Sequence, residues 1–299
     1  MIRVVGLVLC LITAGAFATS PTLRSAAISQ LRSITEPLFE QGEATEPHFD
    51  AFYAGMVEAL PPQERAERAL ELAINRYTGA AEYVMQNAQS WRKHVKPNER
   101  LTTLLNTAIN APLIEVRMAG FEVHLAQYDL DKSTAEVDRL SQRFVADPKG
   151  AGPWALWNMA VLGARGIDRE RVFAELLSAT QHEDEYVRHW AVDSLAKFGG
   201  VEIIDPLLEL AVQDNSALVR ENAFCGLAES GTLHIAERYE AVPGLLKIAE
   251  NDQSDRQTLE WTYQALREIT SIYDLPNDPA RWREQLGRVG LLKVQAVAR

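Results

Sequence analysis

Hydrophobic residues recur along this chain at spacings of three and four, and almost no stretch alternates residue by residue. That period belongs to amphipathic helices, each with one face to bury. Glycine and proline fall mostly between the periodic stretches. Asp205-Pro206 and Val242-Pro243 place proline where the first turn of a helix tolerates it. The segment from Gln63 to Trp91 follows Pro61-Pro62 and reads as one or two helices, and 281–299 as a final helix or a tail. The expected fold class is all-α.

The pattern also repeats on a longer scale. Ala155-Leu-Trp-Asn-Met-Ala-Val-Leu-Gly163, Ala191-Val-Asp-Ser-Leu-Ala-Lys-Phe-Gly199 and Ala223-Phe-Cys-Gly-Leu-Ala-Glu-Ser-Gly231 superimpose without gaps. A fourth copy, Thr262 to Thr270, keeps the central Leu266 but loses the alanine and the glycine. The copies stand about 32 to 39 residues apart, the period of a helical hairpin. Residues i and i+4 share a helix face, so each alanine admits a neighbouring helix and each Leu or Met fills the groove beside it. The glycine is expected to end the helix in a left-handed cap. Second helices follow at 172–179, 203–211 and 241–249. Neither helix of a pair can bury its apolar face alone, so stacking completes the core.

Val-Arg stands three residues before the alanine at Val187-Arg188 and Val219-Arg220, and Ile114-Glu-Val-Arg117 opens a looser copy. This V-R-x-x-A-x-x-x-L helix with its partner resembles the HEAT repeat. Residues 203–282 are also similar to the C-terminal part of bacterial exported HEAT-repeat proteins. That likeness rests on the run from Arg220 to Gly231, Ala241-Val-Pro243, the run from Gln264 to Thr270, and Asp278 with Trp282. The resemblance implies a right-handed α-solenoid of stacked hairpins and an aspartate six residues before each repeat arginine. Asp214 precedes Arg220 in that way, but His182 stands before Arg188 and the repeat at Ala155 has no arginine, so an unbroken Asp/Arg ladder is not expected.

The first eighteen residues change the picture of where the chain works. Arg3 precedes an uncharged apolar stretch, and Ala16-Phe17-Ala18 supplies the small residues of a signal-peptidase site. The stretch is short for a bilayer span, so a cleaved signal is expected, with the mature chain periplasmic or secreted and without a membrane span. The organisation reads as signal peptide 1–18, N-terminal helical region 19–110 capping the array, HEAT-like array 111–275 and C-terminal capping segment 276–299. Of two cysteines only Cys225 would remain, so packing rather than a disulfide must hold the fold.

Lys and Arg number 30 against 41 Asp and Glu, a formal net charge of -11. Such a surface repels phosphates, and no basic run interleaves with aromatics, so nucleic acid is not an expected partner. Motifs for zinc, nucleoside phosphates or a serine nucleophile are absent. His182-Glu183 is the single His-Glu pair, where HEAT-repeat di-iron hydroxylases need several. Cys225 has Glu221 and Glu229 one helical turn away, which opposes the thiolate a nucleophile needs. No catalytic residue, metal ligand or cofactor is therefore assigned.

Trp154, Trp190 and Trp261 share the slot just before the alanine position. They read either as rings packed between repeats or as a stripe for a peptide or glycan. Second helices usually line the concave face of such arrays, which makes Glu209 and Lys247 the first candidates for contact. The leading expectation is a non-catalytic scaffold or adaptor for a protein or peptide partner. An enzyme or ligand carrier using the helical groove, and a structural part of an envelope assembly, remain as alternatives. Self-association through the tryptophans is open as well.

Overall fold

A computed structural model of the chain describes residues 47–289. The expected signal segment, 19–46 of the N-terminal region and 290–299 of the C-terminal segment lie outside the described residues.

The helices follow one another in pairs. They are α1 (Ala51–Glu58) and α2 (Pro62–Ile74), α3 (Ala80–Trp91) and α4 (Glu99–Ile109), α5 (Ile114–Gln127) and α6 (Thr134–Ala146), and α7 (Gly152–Ala164) and α8 (Arg169–Ala179). Next come α9 (Glu185–Phe198) and α10 (Ile204–Gln213), α11 (Ala217–Ala228), a short α12 (Ile235–Arg238) and α13 (Val242–Ala249), then α14 (Arg256–Thr270) and α15 (Pro279–Arg288). Among the described residues there is no β-strand, only an isolated bridge between His48 and Thr78.

Local chemistry sets the helix starts. The side chains of Asp50, Asn98, Ser133, Asp184, Ser216, Asp255 and Asp278 each accept a first-turn backbone N–H. A cap of this kind contributes about 1 kcal/mol by satisfying a donor that the helix leaves unpaired. Gly79, at φ +93°, separates α2 from α3, so the segment 63–91 is two helices.

From α7 onward the stacking is regular. First helices α7, α9, α11 and α14 pack side by side in one layer, and α8, α10, α13 and α15 form the other. The repeated alanine and Leu or Met positions are fully buried at Ala155 and Met159, Ala191 and Leu195, and Ala223 and Leu227. One continuous core runs through these repeats, from Phe121 to Leu286. This is an all-α solenoid of stacked helical hairpins.

The repeated glycines serve two different purposes. Gly199 ends α9 at φ +66° and ψ -174°, a positive-φ cap but not the left-handed helical conformation expected. Gly163 does not cap α7, which continues through Ala164. A Cβ on Gly163 would sit 2.7 Å from the Phe198 ring and 2.8 Å from Val172, so that glycine is there to admit α9 and α8 at close range. Gly231 lies beyond the end of α11 at φ +76°, and a Cβ there would meet the Ala196 carbonyl oxygen at 2.1 Å. The loop after α11 is thereby folded back on the end of α9, where Thr232 donates from its backbone N–H to the Ala196 carbonyl at 2.9 Å.

Helix α5 departs from the pattern that its Ile114–Arg117 segment suggests. Met118 and Glu122 meet Arg165 at the end of α7, His124 meets Asn158, and Tyr128 meets Trp154 at its beginning. The partner number falls as the α5 number rises, so α5 runs antiparallel to α7. By contrast, His189 with Asn222 and Ala196 with Gly226 show α9 and α11 running in the same direction. A second core, Val57 to Val123, lies between α1 and α5. Helix α5 feeds both cores, through Val116, Ala119 and Val123 on one side and Phe121 and Leu125 on the other.

Candidate functional site

The second-helix layer is not evenly closed. Between α10 and α13 the approach is tight, because Gly244 leaves room for Leu208, whose Cδ1 would lie 2.3 Å from a Cβ at that position. Helices α8 and α10 stand apart instead, and a groove of about 670 Å³ opens between the C-terminal end of α8 and the length of α10. Its walls include Leu177, Ser178 and Gln181 from α8 and the turn after it, and Pro206, Glu209 and Gln213 from α10.

The floor is a partly buried ion pair. Arg188 Nε donates to Asp214 Oδ2 at 2.8 Å, and a terminal guanidinium nitrogen donates to Oδ1 at 3.0 Å. The same guanidinium donates to the carbonyls of His182 and Glu183 at 3.1 and 3.0 Å, closing the turn between α8 and α9. Burial works against the Asp214 carboxylate. The Arg188 hydrogen bonds, the Ser216 N–H and the charges of Arg188 and Arg220 outweigh it and hold its pKa below the usual carboxylate range. Arg220 continues the series, donating to the Asp214 carbonyl at 3.0 Å and lying 3.6 Å from Asp255. Two rungs of an Asp/Arg ladder therefore exist, although His182 replaces the first aspartate: each arginine reaches forward to the acid of the following repeat.

On this fixed floor several polar side chains are uncommitted. Among the described residues, Ser178, Glu209, Gln213 and Asn215 line the groove without a side-chain partner. His182 differs, since its Nδ1 accepts the Asp184 N–H at 3.0 Å. The groove thus combines apolar walls, rigid backing and free neutral donors and acceptors, with Glu209 as its free charge. It can hold a polar chain by hydrogen bonding.

The sequence-based candidates fall into two groups. Glu209 is exposed and sits in this groove. Lys247 is exposed on α13 in the same layer but does not line it. The three tryptophans are half-buried and lie elsewhere, on the first helices. Trp154 packs against Tyr128 at 5.7 Å with the Arg143 guanidinium over its ring, and Trp261 packs against Phe224 at 6.2 Å. Trp190 meets Tyr186, and its Nε1 is buried without an acceptor. The rings fill spaces around the first helices and do not join Glu209.

Cys225 lies half-buried between α11 and α14, and burial, then Glu229 and Glu221, push its thiol up to about 11. Among the described residues no group of three or more His, Cys, Asp or Glu is arranged to hold a metal ion. No described helix is long and apolar enough to cross a membrane.

Sequence reasoning passed over Ser178, Gln213 and Asn215. Their visible signal was position, since they end a second helix or begin the turn after it. Which of several such ends would stand open depends on helix separation, which the sequence does not display.

Comparison with known proteins supports the architecture. Residues 151–228 match the family model described as HEAT repeats. That segment is similar to HEAT repeats. The matched segment begins at the start of α7 and closes with the end of α11, the stretch in which the first helices run in one direction. The groove lies inside it, between the second helices of two successive HEAT-like repeats. No match is found among the curated proteins.

Proposed function

We propose that this chain is a non-catalytic scaffold or adaptor that holds a protein partner outside the cytoplasm. The observation that carries the reading is the α8–α10 groove, a preformed recess with a rigid floor and uncommitted polar side chains in a HEAT-repeat array. HEAT repeats generally mediate protein–protein interaction, which agrees with it. Export rests on the sequence of residues 1–18 alone. A preformed site loses little entropy on binding, so a modest contact area can still give useful affinity.

The test is affinity capture from an envelope fraction with the mature chain as bait, using crosslinking to retain weak complexes. The expected outcome is one specific protein whose capture falls when the groove is altered. Detection of an N-terminus at Thr19 in the exported chain would support the location. Recovery of nothing but the bait would sink the scaffold reading, and a chain retained in the cytoplasm would sink the location.

A further inference from the structure

We propose that the α8–α10 groove binds an extended, basic segment of its partner, an inference that rests on the scaffold reading and deepens it. The charge assignment comes from what is already neutralised. Arg188 is held by both oxygens of Asp214 and by two carbonyls, so it offers nothing to a ligand anion. Glu209 has no partner among the described residues. Asp205, one turn earlier on α10, is exposed and also without one. Glu183, beside His182, is exposed but already within the field of Lys149, so it is not counted with them. Lysine or arginine side chains entering the groove meet the unopposed Glu209 carboxylate, with Asp205 one turn away at its edge, and acidic segments are repelled.

The conformation follows from hydrogen-bonding capacity. A helix satisfies its own backbone and would leave the groove's amides unused. An extended segment exposes N–H and C=O groups that need partners, and the Gln213 and Asn215 amides supply both kinds. Leu177, Leu210 and Pro206 give apolar surface on which the methylene stem of a lysine or arginine can lie with its charged end free to reach Glu209. A volume of about 670 Å³ suits a short stretch of chain rather than a folded surface. The tight α10–α13 approach at Gly244 denies the same opening to the next repeat.

The experiment is a display selection of randomised nonapeptides on the full-length mature chain, followed by fluorescence anisotropy of one enriched peptide. Its binding is compared for wild type, Glu209→Lys, Glu209→Gln and Gln213→Ala, with circular dichroism and thermal melting to confirm that each variant is folded. The expected pool is enriched in lysine and arginine. Affinity should fall about tenfold or more for Glu209→Lys and less for Glu209→Gln, and should weaken as salt rises. A pool without basic enrichment, an affinity unmoved by Glu209→Lys in a folded variant, or no enrichment at all overturns the proposal. The scaffold reading is judged separately: a crosslinked partner that maps away from the groove would remove this inference and leave that reading standing.

Discussion

His124 shows how environment changes the chemistry of a residue. It is half-buried in α5 between Tyr128 and Trp157, with ring centroids at 4.7 and 4.5 Å, and its Nε2 lies 3.1 Å from Asn158 Oδ1. The Asn158 amide donates to the Trp154 carbonyl, which leaves Oδ1 to accept from the imidazole. Desolvation lowers the His124 pKa to about 4 against the partial opposition of that hydrogen bond. Between about 4 and the ordinary value of 6.5 the unfolded chain binds a proton that the folded chain refuses. Stability is therefore complete above the ordinary value and is lost as pH falls toward 4, by about 3 kcal/mol over the interval. Urea unfolding at a series of pH values should show this slope, and His124→Gln should flatten it. An equal slope in the variant would assign the loss to other groups.

At the scale of elements, close approach is set by glycine more than by the large apolar residues. Alanine at 163 gains helix propensity of about 1 kcal/mol, but its methyl enters the space held by Phe198 and Val172. Overpacking of this kind costs about 1–3 kcal/mol. Gly163→Ala should consequently lower the melting temperature, whereas Gly166→Ala, at φ +80° with open space around it, tests backbone strain alone. A rise in melting temperature for Gly163→Ala would show that α7 and α9 can separate without loss. That Ala191 and Leu195 share a buried face was legible from spacing alone. The role of Gly163 was not, because the atoms that crowd it come from α8 and α9, across sequence gaps that a local pattern does not span.

For the whole molecule the decisive feature is the reversal at α5. Arg117 is buried there, donating to the carbonyl of Ala111 and, at 2.7 Å, to that of Gly231. It thus ties the start of α5 to the loop folded over α9, more than a hundred residues away in the chain. Nearby, Arg238 donates to the carbonyls of Leu227, Ser230 and Leu233, and burial followed by the charge of Arg117 lowers its pKa to about 10. Arg117→Ala leaves the buried Gly231 carbonyl and the partly buried Ala111 carbonyl without this donor and should cost about 2–3 kcal/mol. Hydrogen exchange should accelerate together in 111–117 and 229–234, with α14 unchanged. Acceleration confined to 111–117 would mean that the Gly231 contact does not couple the two regions.

By itself the sequence determined the helical class, the hairpin period and the buried alanine and leucine positions. Each of these depends on contacts within one helix or between adjacent helices, and such contacts leave a periodic trace. Glu209 was also legible, as a polar position on the outward face of a second helix. Only the tertiary structure decided that α5 opposes α7, that Arg117 meets Gly231, and that the second-helix layer opens at α8–α10 and closes at α10–α13. Those outcomes turn on helix direction and separation, which are fixed by the packing of many side chains at once. A repeat motif records which residues face a neighbour, but not how far away or in which direction that neighbour runs.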